Sequence, residues 1–171
     1  PKKIITEKSV DNAVTVAMAM GCSTNAIIHL IAMARRAGIR LTMDDLDKKG
    51  RVIPLLANIR PSGNDYLMED FFYAGGILSL MNSLADKLNL EEITVTGSKL
   101  GEIIVGKETL NRDIIRSLDN PIYKEGSLAV LKGNLAPDGC VIKPAACDKK
   151  FLKHKGPAIV FDSYPDMKKN Y

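Results

Sequence analysis

Residues 126–144 run Gly-Ser-Leu-Ala-Val-Leu-Lys-Gly-Asn-Leu-Ala-Pro-Asp-Gly-Cys-Val-Ile-Lys-Pro, and no other stretch limits the fold as tightly. One apolar run, Leu128 to Leu131, stops at Gly133-Asn134, and a second, Cys140 to Ile142, stops at Pro144. Two short apolar runs separated by breaker residues predict strand, tight connection, strand. The turn is expected at Pro137-Asp138-Gly139. Pro137 presets φ, Asp138 can bond its own backbone, and Gly139 tolerates positive φ.

Upstream of this hairpin the periodicity is helical. Asp11–Met20 repeats with a 3.6-residue period, with Ser9 and Asp11 as candidate caps. After a break at Gly21, a helix is predicted over about Asn25–Ala37. It is apolar almost all round, which predicts burial, and Arg35, Arg36 and Gly38 supply its stop signal. His29, in its middle, reads as a hydrogen-bonded core or boundary residue. Thr42 with Asp45 marks a helix start over Thr42–Lys49. Val52–Ala57 is apolar but of undetermined type, and Arg60–Asp65 is a loop. Tyr66–Tyr73 and Ile77–Leu88 read as helices around Gly75-Gly76.

Past Glu91-Glu92 the pattern shifts. Ile93–Thr96 and Ala158–Phe161 read as strands, Leu100–Val105 as a short helix, and Asp162-Ser163 as the start of another. The expected organisation is therefore α/β (α+β), with a mostly helical part over residues 1–90 and a β-rich part over 91–171.

The chain has 171 residues, 46% hydrophobic and 26% charged, which fits a folded globular protein. Aromatics are 5% with no Trp, so the core must be aliphatic. Net charge is +4, but residues 1–90 hold 11 basic and 9 acidic side chains and residues 91–171 hold 13 and 11. Only Lys143–Lys155 is locally basic, without interleaved aromatics, so a nucleic-acid partner is not expected. Cys22, Cys140 and Cys147 form an odd set without Cys-x-x-Cys spacing, which argues against a disulfide scaffold or zinc site. No apolar stretch reaches the roughly 20 residues of a membrane span, and no signal-like core follows the amino terminus. A cytoplasmic protein with no membrane partner is expected.

Five ordered blocks resemble the dihydroxy-acid and sugar-acid dehydratase family, which includes 6-phosphogluconate dehydratase. They are Gly21-Cys22-Ser23-Thr24-Asn25-Ala26, where Cys22 replaces a family glycine; Pro61-Ser62-Gly63 with Met68-Glu69-Asp70 and Ala74-Gly75-Gly76; Thr94-Val95-Thr96-Gly97; Leu118-Asp119-Asn120-Pro121; and Gly133–Gly139 followed by Val141-Ile142-Lys143. The resemblance covers roughly residues 10–162. It implies a parent enzyme that removes water from a 2,3-dihydroxy carboxylate to give a 2-keto acid, using an iron–sulfur cluster, Mg2+ and a serine base. By resemblance, the cluster and metal ligands and that serine lie in parts of the family not represented here. The first part would then end an amino-terminal α/β domain holding cluster and metal. The second would begin a swivelling β-barrel-like domain. Phe71-Phe72-Tyr73 and Val141–Ala146 resemble the aldonate branch more than the branched-chain biosynthetic one. A homo-oligomeric parent is implied, and a non-catalytic fragment or interaction module is the alternative.

Candidate site residues are few. Ser23, Thr24 and Asn25 begin a predicted helix, where backbone N–H groups and the positive dipole end could hold a substrate carboxylate or phosphate, or where Ser or Thr could simply cap. Ser62 lies in Arg60-Pro61-Ser62-Gly63-Asn64, which offers a cation, a hydroxyl and a glycine permitting close approach, or else an ordinary surface turn. Cys22 is either a small packed residue or a thiol activated by the helix dipole. Glu69-Asp70 reads as solvated surface or helix-start charge and Asp119-Asn120-Pro121 as a turn. Cys147-Asp148-Lys149-Lys150 resembles the start of the family's metal motif, but Phe151-Leu152 break it, leaving a solvated basic connection. No phosphate loop, dinucleotide fingerprint or hydrolase elbow is present. No catalytic, cofactor-binding or metal residue is therefore assigned.

Overall fold

The computed structural model describes residue 1 and residues 3–170. Thr6 starts helix α1 (Glu7–Met20): its hydroxyl accepts from the Ser9 amide at 3.0 Å, and Ser9 Oγ accepts from the Thr6 amide at 2.8 Å. This reciprocal box satisfies two otherwise orphaned donors. The expected caps are thus displaced. Ser9 is the third residue of the helix, and Asp11 lies inside it, ion-paired to Lys49 at 2.5 Å. Gly21, at φ +83°, closes α1.

Helices α2 (Asn25–Arg36) and α3 (Met43–Val52) follow, the latter opened by the predicted Thr42–Asp45 box. Next come α4 (Met68–Tyr73), α5 (Gly76–Ser83) and α6 (Leu100–Ile104). Antiparallel strands β1 (Ala129–Gly133) and β2 (Ala136–Ile142) form the one sheet among the described residues, and α7 (Tyr164–Asn170) ends them. The architecture is mixed: seven α-helices and a two-stranded sheet, counted over the described residues. No helix among them is long and apolar enough to cross a membrane.

The core is aliphatic, as the composition requires, and α1 is its axis. Val14, Met18 and Ala19 pack with Leu46 of α3, Leu80 of α5 and the extended run Ile53–Ile59. That run is the apolar stretch of undetermined type. Leu56 and Ala57 donate to the Ala19 carbonyl at 2.8 and 3.1 Å, while Leu55 and Ala57 form isolated bridges to Tyr123 and Ile115. Ile114, Ile115 and Leu128 close the same core.

Four expectations change. First, α2 is not buried all round: only Ile27 and Ala34 are, whereas Ile28 is 68% exposed, Met33 55%, and His29 is also exposed. No described residue covers Ile28 and Met33 on its second face. Second, the hairpin reverses at Asn134–Leu135, and Pro137-Asp138-Gly139 lies within β2. Pairing runs Leu131–Cys140 and then Gly133–Ala136, so Lys132 stands opposite three residues. Pro137 has no N–H to donate and Gly139 sits at φ +107°, so this chemistry builds an irregularity in the ladder instead of the turn. Third, Ile93–Thr96 is no strand: Ile93 bridges Lys99, and Thr94 to Gly97 is a turn closed by the Gly97 amide on the Thr94 carbonyl at 3.0 Å. Fourth, Ala158–Phe161 is not a strand, and Ile159 and Val160 are largely exposed.

Candidate functional site

Helix α2 begins without a side-chain bond from Thr24. Ser23 takes that role: its Oγ accepts from the Asn25 amide at 3.2 Å and its carbonyl from the Ala26 amide at 2.9 Å. Capping by Ser23 leaves the Thr24 hydroxyl and the Ser23 and Thr24 amides unengaged among the described residues. Ser23, Thr24 and Asn25 are all exposed. This helix start therefore faces solvent with donors to spare, at the positive end of a 12-residue helix.

Ser23 and Thr24 help to line an open cleft of about 480 Å³. Its lining is Met20 to Thr24, then Ile59, Arg60, Pro61 and Met68, and Lys143. The 58–64 loop is held in place from within. The Asn58 carboxamide accepts from the Asn64 amide at 3.2 Å and donates to the Asp113 carbonyl at 3.2 Å, and the Gly63 amide donates to the Ile59 carbonyl at 2.7 Å. A side chain at Gly63 would collide with the Asn58 backbone and carboxamide, so glycine is required for this close approach. Ser62 is carried inward to 3% exposure, where its hydroxyl finds no hydrogen-bond partner among the described residues. That hydroxyl lies against Gly21: a Cβ there would stand 2.9 Å from it. Of the four candidate residues, Ser23 and Thr24 line the cleft, Ser62 is buried against its Gly21 wall, and Asn25 does not line it.

Lys143 is the residue that sequence reasoning missed. It leaves the end of β2, and its Nζ donates to the Gly21 carbonyl at 3.1 Å, across 122 residues of chain. The only signal was its place in the Val-Ile-Lys string, because no local spacing links it to Gly21. Burial pushes its ammonium pKa down. Burial also pushes the neighbouring Cys22 thiol up, and this outweighs Lys143 and a hydrogen bond with Ser127. That direction is opposite to the one an activated thiol requires, and Cys22 packs against the core.

No carboxylate lines the cleft. Asp70 serves its own helix, accepting from the Leu67 amide at 2.7 Å, so the Glu69-Asp70 pair includes helix-start charge as expected. The Asn120 amide bonds the Ser117 carbonyl at 3.2 Å in a turn. Asp148 caps the 3-10 turn Lys149–Phe151 and pairs with Lys150 at 3.2 Å. Among the described residues no three His, Cys, Asp or Glu side chains converge on a point. This donor set does not fit an iron–sulfur cluster or a magnesium ion.

The cleft draws on both ends of the chain, and so do the family matches. A model described as dihydroxy-acid/6-phosphogluconate dehydratase N-terminal matches residues 1–103, and its C-terminal counterpart matches residues 113–171. The chain is 46% identical over 170 residues to a 6-deoxy-6-sulfo-D-gluconate dehydratase of Pseudomonas putida, covering 98% of this chain and 29% of the relative. It is 44% identical over 174 residues to dihydroxy-acid dehydratase 1 of Methanosarcina acetivorans, covering 99% and 31%. An L-arabinonate dehydratase of Rhizobium leguminosarum is 41% identical over 170 residues, covering 98% and 29%. The chain thus spans about three-tenths of the length of the curated relatives it matches.

Proposed function

The chain belongs to the dihydroxy-acid/6-phosphogluconate dehydratase family, and from that premise we propose that it is the substrate-anion-holding segment of a hydro-lyase that turns a sugar acid into a 2-keto acid. One observation carries this reading: the cleft is lined by the α2 start with its unengaged donors, by Arg60 and by Lys143, with no acid among them, and the Ser62 hydroxyl is buried behind its Gly21 wall. Such a site can bind an anion and fix its orientation. Thr24 and the Ser23 and Thr24 amides would grip the anion, Ser62 would orient it from beneath, and Met20, Ile59 and Met68 would exclude water from one side.

The elimination itself needs a Lewis acid for the departing hydroxyl and a base for the C2 proton. In this proposal the iron–sulfur cluster, Mg2+ and serine base belong to the parts of the parent outside this chain. A hand-over near residue 90, from the cluster-binding domain to a β-rich swivelling barrel-like one, is part of the same proposal. It is supported by the location of both paired strands beyond that point. The names of the relatives include both sugar-acid and branched-chain forms. The sugar-acid preference rests on the Phe71–Gly76 and Val141–Ala146 strings.

A polypeptide carrying this chain at the full length of its relatives tests the reading. It should turn over L-arabinonate or D-gluconate in preference to 2,3-dihydroxyisovalerate, and Thr24→Val and Ser62→Ala should each raise KM several-fold, by about one lost hydrogen bond. Turnover of 2,3-dihydroxyisovalerate alone would end the sugar-acid assignment. An unchanged KM in both variants would end the cradle.

A further inference from the structure

We propose that the Asp138-Gly139 step in β2 is a site of spontaneous covalent modification, at which the backbone isomerises through a cyclic imide to an isoaspartyl link. This chemistry is independent of the activity proposed above.

The reactive pair is present in the sequence, and the fold leaves it open. Asp138-Gly139 is the one Asp-Gly pair in the chain, and there is no Asn-Gly pair. A carboxyl carbon reaches the next amide nitrogen most easily when the following residue has no Cβ in the way. Asp138 is exposed, and no hydrogen bond or ion pair engages its carboxylate among the described residues. Lys132, which stands opposite it, is paired instead with Asp44 of α3 at 2.6 Å. Pro137, Asp138 and Gly139 have no one-to-one partners in β1, and Pro137 has no N–H to give the ladder. Asp138 can therefore turn its carboxyl toward the following amide, a rotation that regular pairing resists. Nor can the fold dispense with Gly139. It sits at φ +107°, and a Cβ there would stand 3.0 Å from Val130 Cγ1.

Other aspartates are placed differently. Asp45 and Asp47 lie in α3 and Asp70 in α4, each with its carboxylate accepting from a backbone amide. Asp162 is exposed, but Ser163 follows it and brings a Cβ.

The reaction needs only water. The Gly139 amide nitrogen gives its proton to solvent base and attacks Cγ of the protonated Asp138 carboxyl. A C–N bond forms, one carboxyl oxygen leaves as water, and the cyclic imide is closed. A second water then opens the imide at either carbonyl. Opening at the main-chain carbonyl breaks its C–N bond and leaves the chain running through Cβ and Cγ of Asp138. No electron is transferred, and the net mass is unchanged. The extra backbone carbon falls just before Cys140, Val141 and Ile142, which pair with Leu131, Val130 and Ala129. It also falls just before Lys143, which reaches the Gly21 carbonyl.

Prolonged incubation of the folded chain in heavy-oxygen water at neutral pH, followed by peptide mapping, is the test. Asp138 should take up label and divide into an aspartyl and an isoaspartyl form. Uptake there should be at least about tenfold faster than at Asp162, a barrier difference of about 1.4 kcal/mol. Asp138→Glu should abolish uptake at this position, because the longer side chain must close a larger ring, and amide spectra establish that the variant keeps the fold. Amide exchange across β1 and β2 should quicken in the isoaspartyl fraction. No uptake at Asp138 in the folded chain, or equal uptake at Asp162, would overturn the site, and so would uptake that persists in Asp138→Glu. Unchanged exchange in the isoaspartyl fraction would overturn the consequence for the hairpin.

Discussion

Single residues show where local chemistry could be read and where it could not. Thr42 and Asp45 announced a helix start by spacing alone, and the structure realises both halves of that box: the Thr42 hydroxyl accepts from the Asp45 amide at 3.2 Å and the Asp45 carboxylate from the Thr42 amide at 2.9 Å, while the hydroxyl also donates to that carboxylate at 2.6 Å. The bond with the Thr42 hydroxyl is the largest influence and, with the amide bond and nearby Arg40 and Lys48, holds Asp45 below the usual carboxylate range against the opposing effect of burial. Lys143 and Ser62 gave no such signal. Their roles depend on what lies beside them in space, and neither Lys143's bond across 122 residues nor Ser62's buried, unpartnered hydroxyl leaves a trace in local spacing. The Asp45 case yields a signed prediction. A carboxylate with a depressed folded pKa contributes stability that is complete above its unfolded value and disappears as pH falls through the folded one. Asp45→Ala should therefore lower stability by about 0.5–1 kcal/mol at pH 7, as for a lost cap. In urea unfolding the gap between variant and parent should close on acidification through the carboxylate range. A gap of constant size down to pH 2 would contradict the assignment.

At the scale of elements, the hairpin shows how sequence fixes type before position. Breakers and apolar runs correctly specified two strands, yet the turn moved to Asn134–Leu135 because Pro137 and Gly139 were needed for the ladder irregularity beside Lys132. What anchors the hairpin is equally non-local. The Val130 amide donates to Asp47 at 2.9 Å, Lys132 pairs with Asp44 at 2.6 Å, and the Ser127 amide donates to the Met18 carbonyl at 3.0 Å. Burial tends to raise the Asp47 pKa, but the bonds from Val130 and Arg51 outweigh it and the net direction is down. The approach depends on two facing glycines. The Gly126 amide reaches the Gly50 carbonyl at 2.6 Å, and a Cβ on Gly50 would stand 2.7 Å from the Leu128 carbonyl oxygen. Gly50→Ala thus sets two effects against each other inside α3. Helix propensity favours alanine by about 1 kcal/mol, whereas overpacking against rigid backbone costs about 1–3 kcal/mol. The second should win, with a net loss of stability of up to about 2 kcal/mol by urea unfolding and faster amide exchange at Gly126 and Val130. A stabilised variant would mean that the hairpin is not seated on α3 in this way.

For the molecule as a whole, the largest departure from the sequence reading is the exposure of α2. Its composition is that of a helix buried on every side, and periodicity alone cannot state which atoms will do the burying. The core takes Ile27 and Ala34, leaving Ile28 and Met33 in solvent, and a groove of about 870 Å³ runs beside the latter between Pro1, Ile5, Ala32 and Ala37. Phe72 and Tyr73 on α4 are also largely exposed. The chain spans about three-tenths of its relatives, and a sequence selected in a longer protein would be expected to carry apolar faces that the rest of that protein covers. Apolar surface of this kind drives association when nothing else covers it. The isolated chain should therefore show a mass by light scattering that climbs with concentration. Ile28→Glu combined with Met33→Glu should suppress that climb without loss of helical signal, because both side chains lie outside the core. Removing roughly one buried aliphatic side chain per site from an interface would weaken association by about 1.5–3 kcal/mol each, or tenfold and more in dissociation constant per site. If the parent chain scatters as a monomer at every concentration, the exposed face of α2 is compatible with water, and its apolar character needs a different explanation.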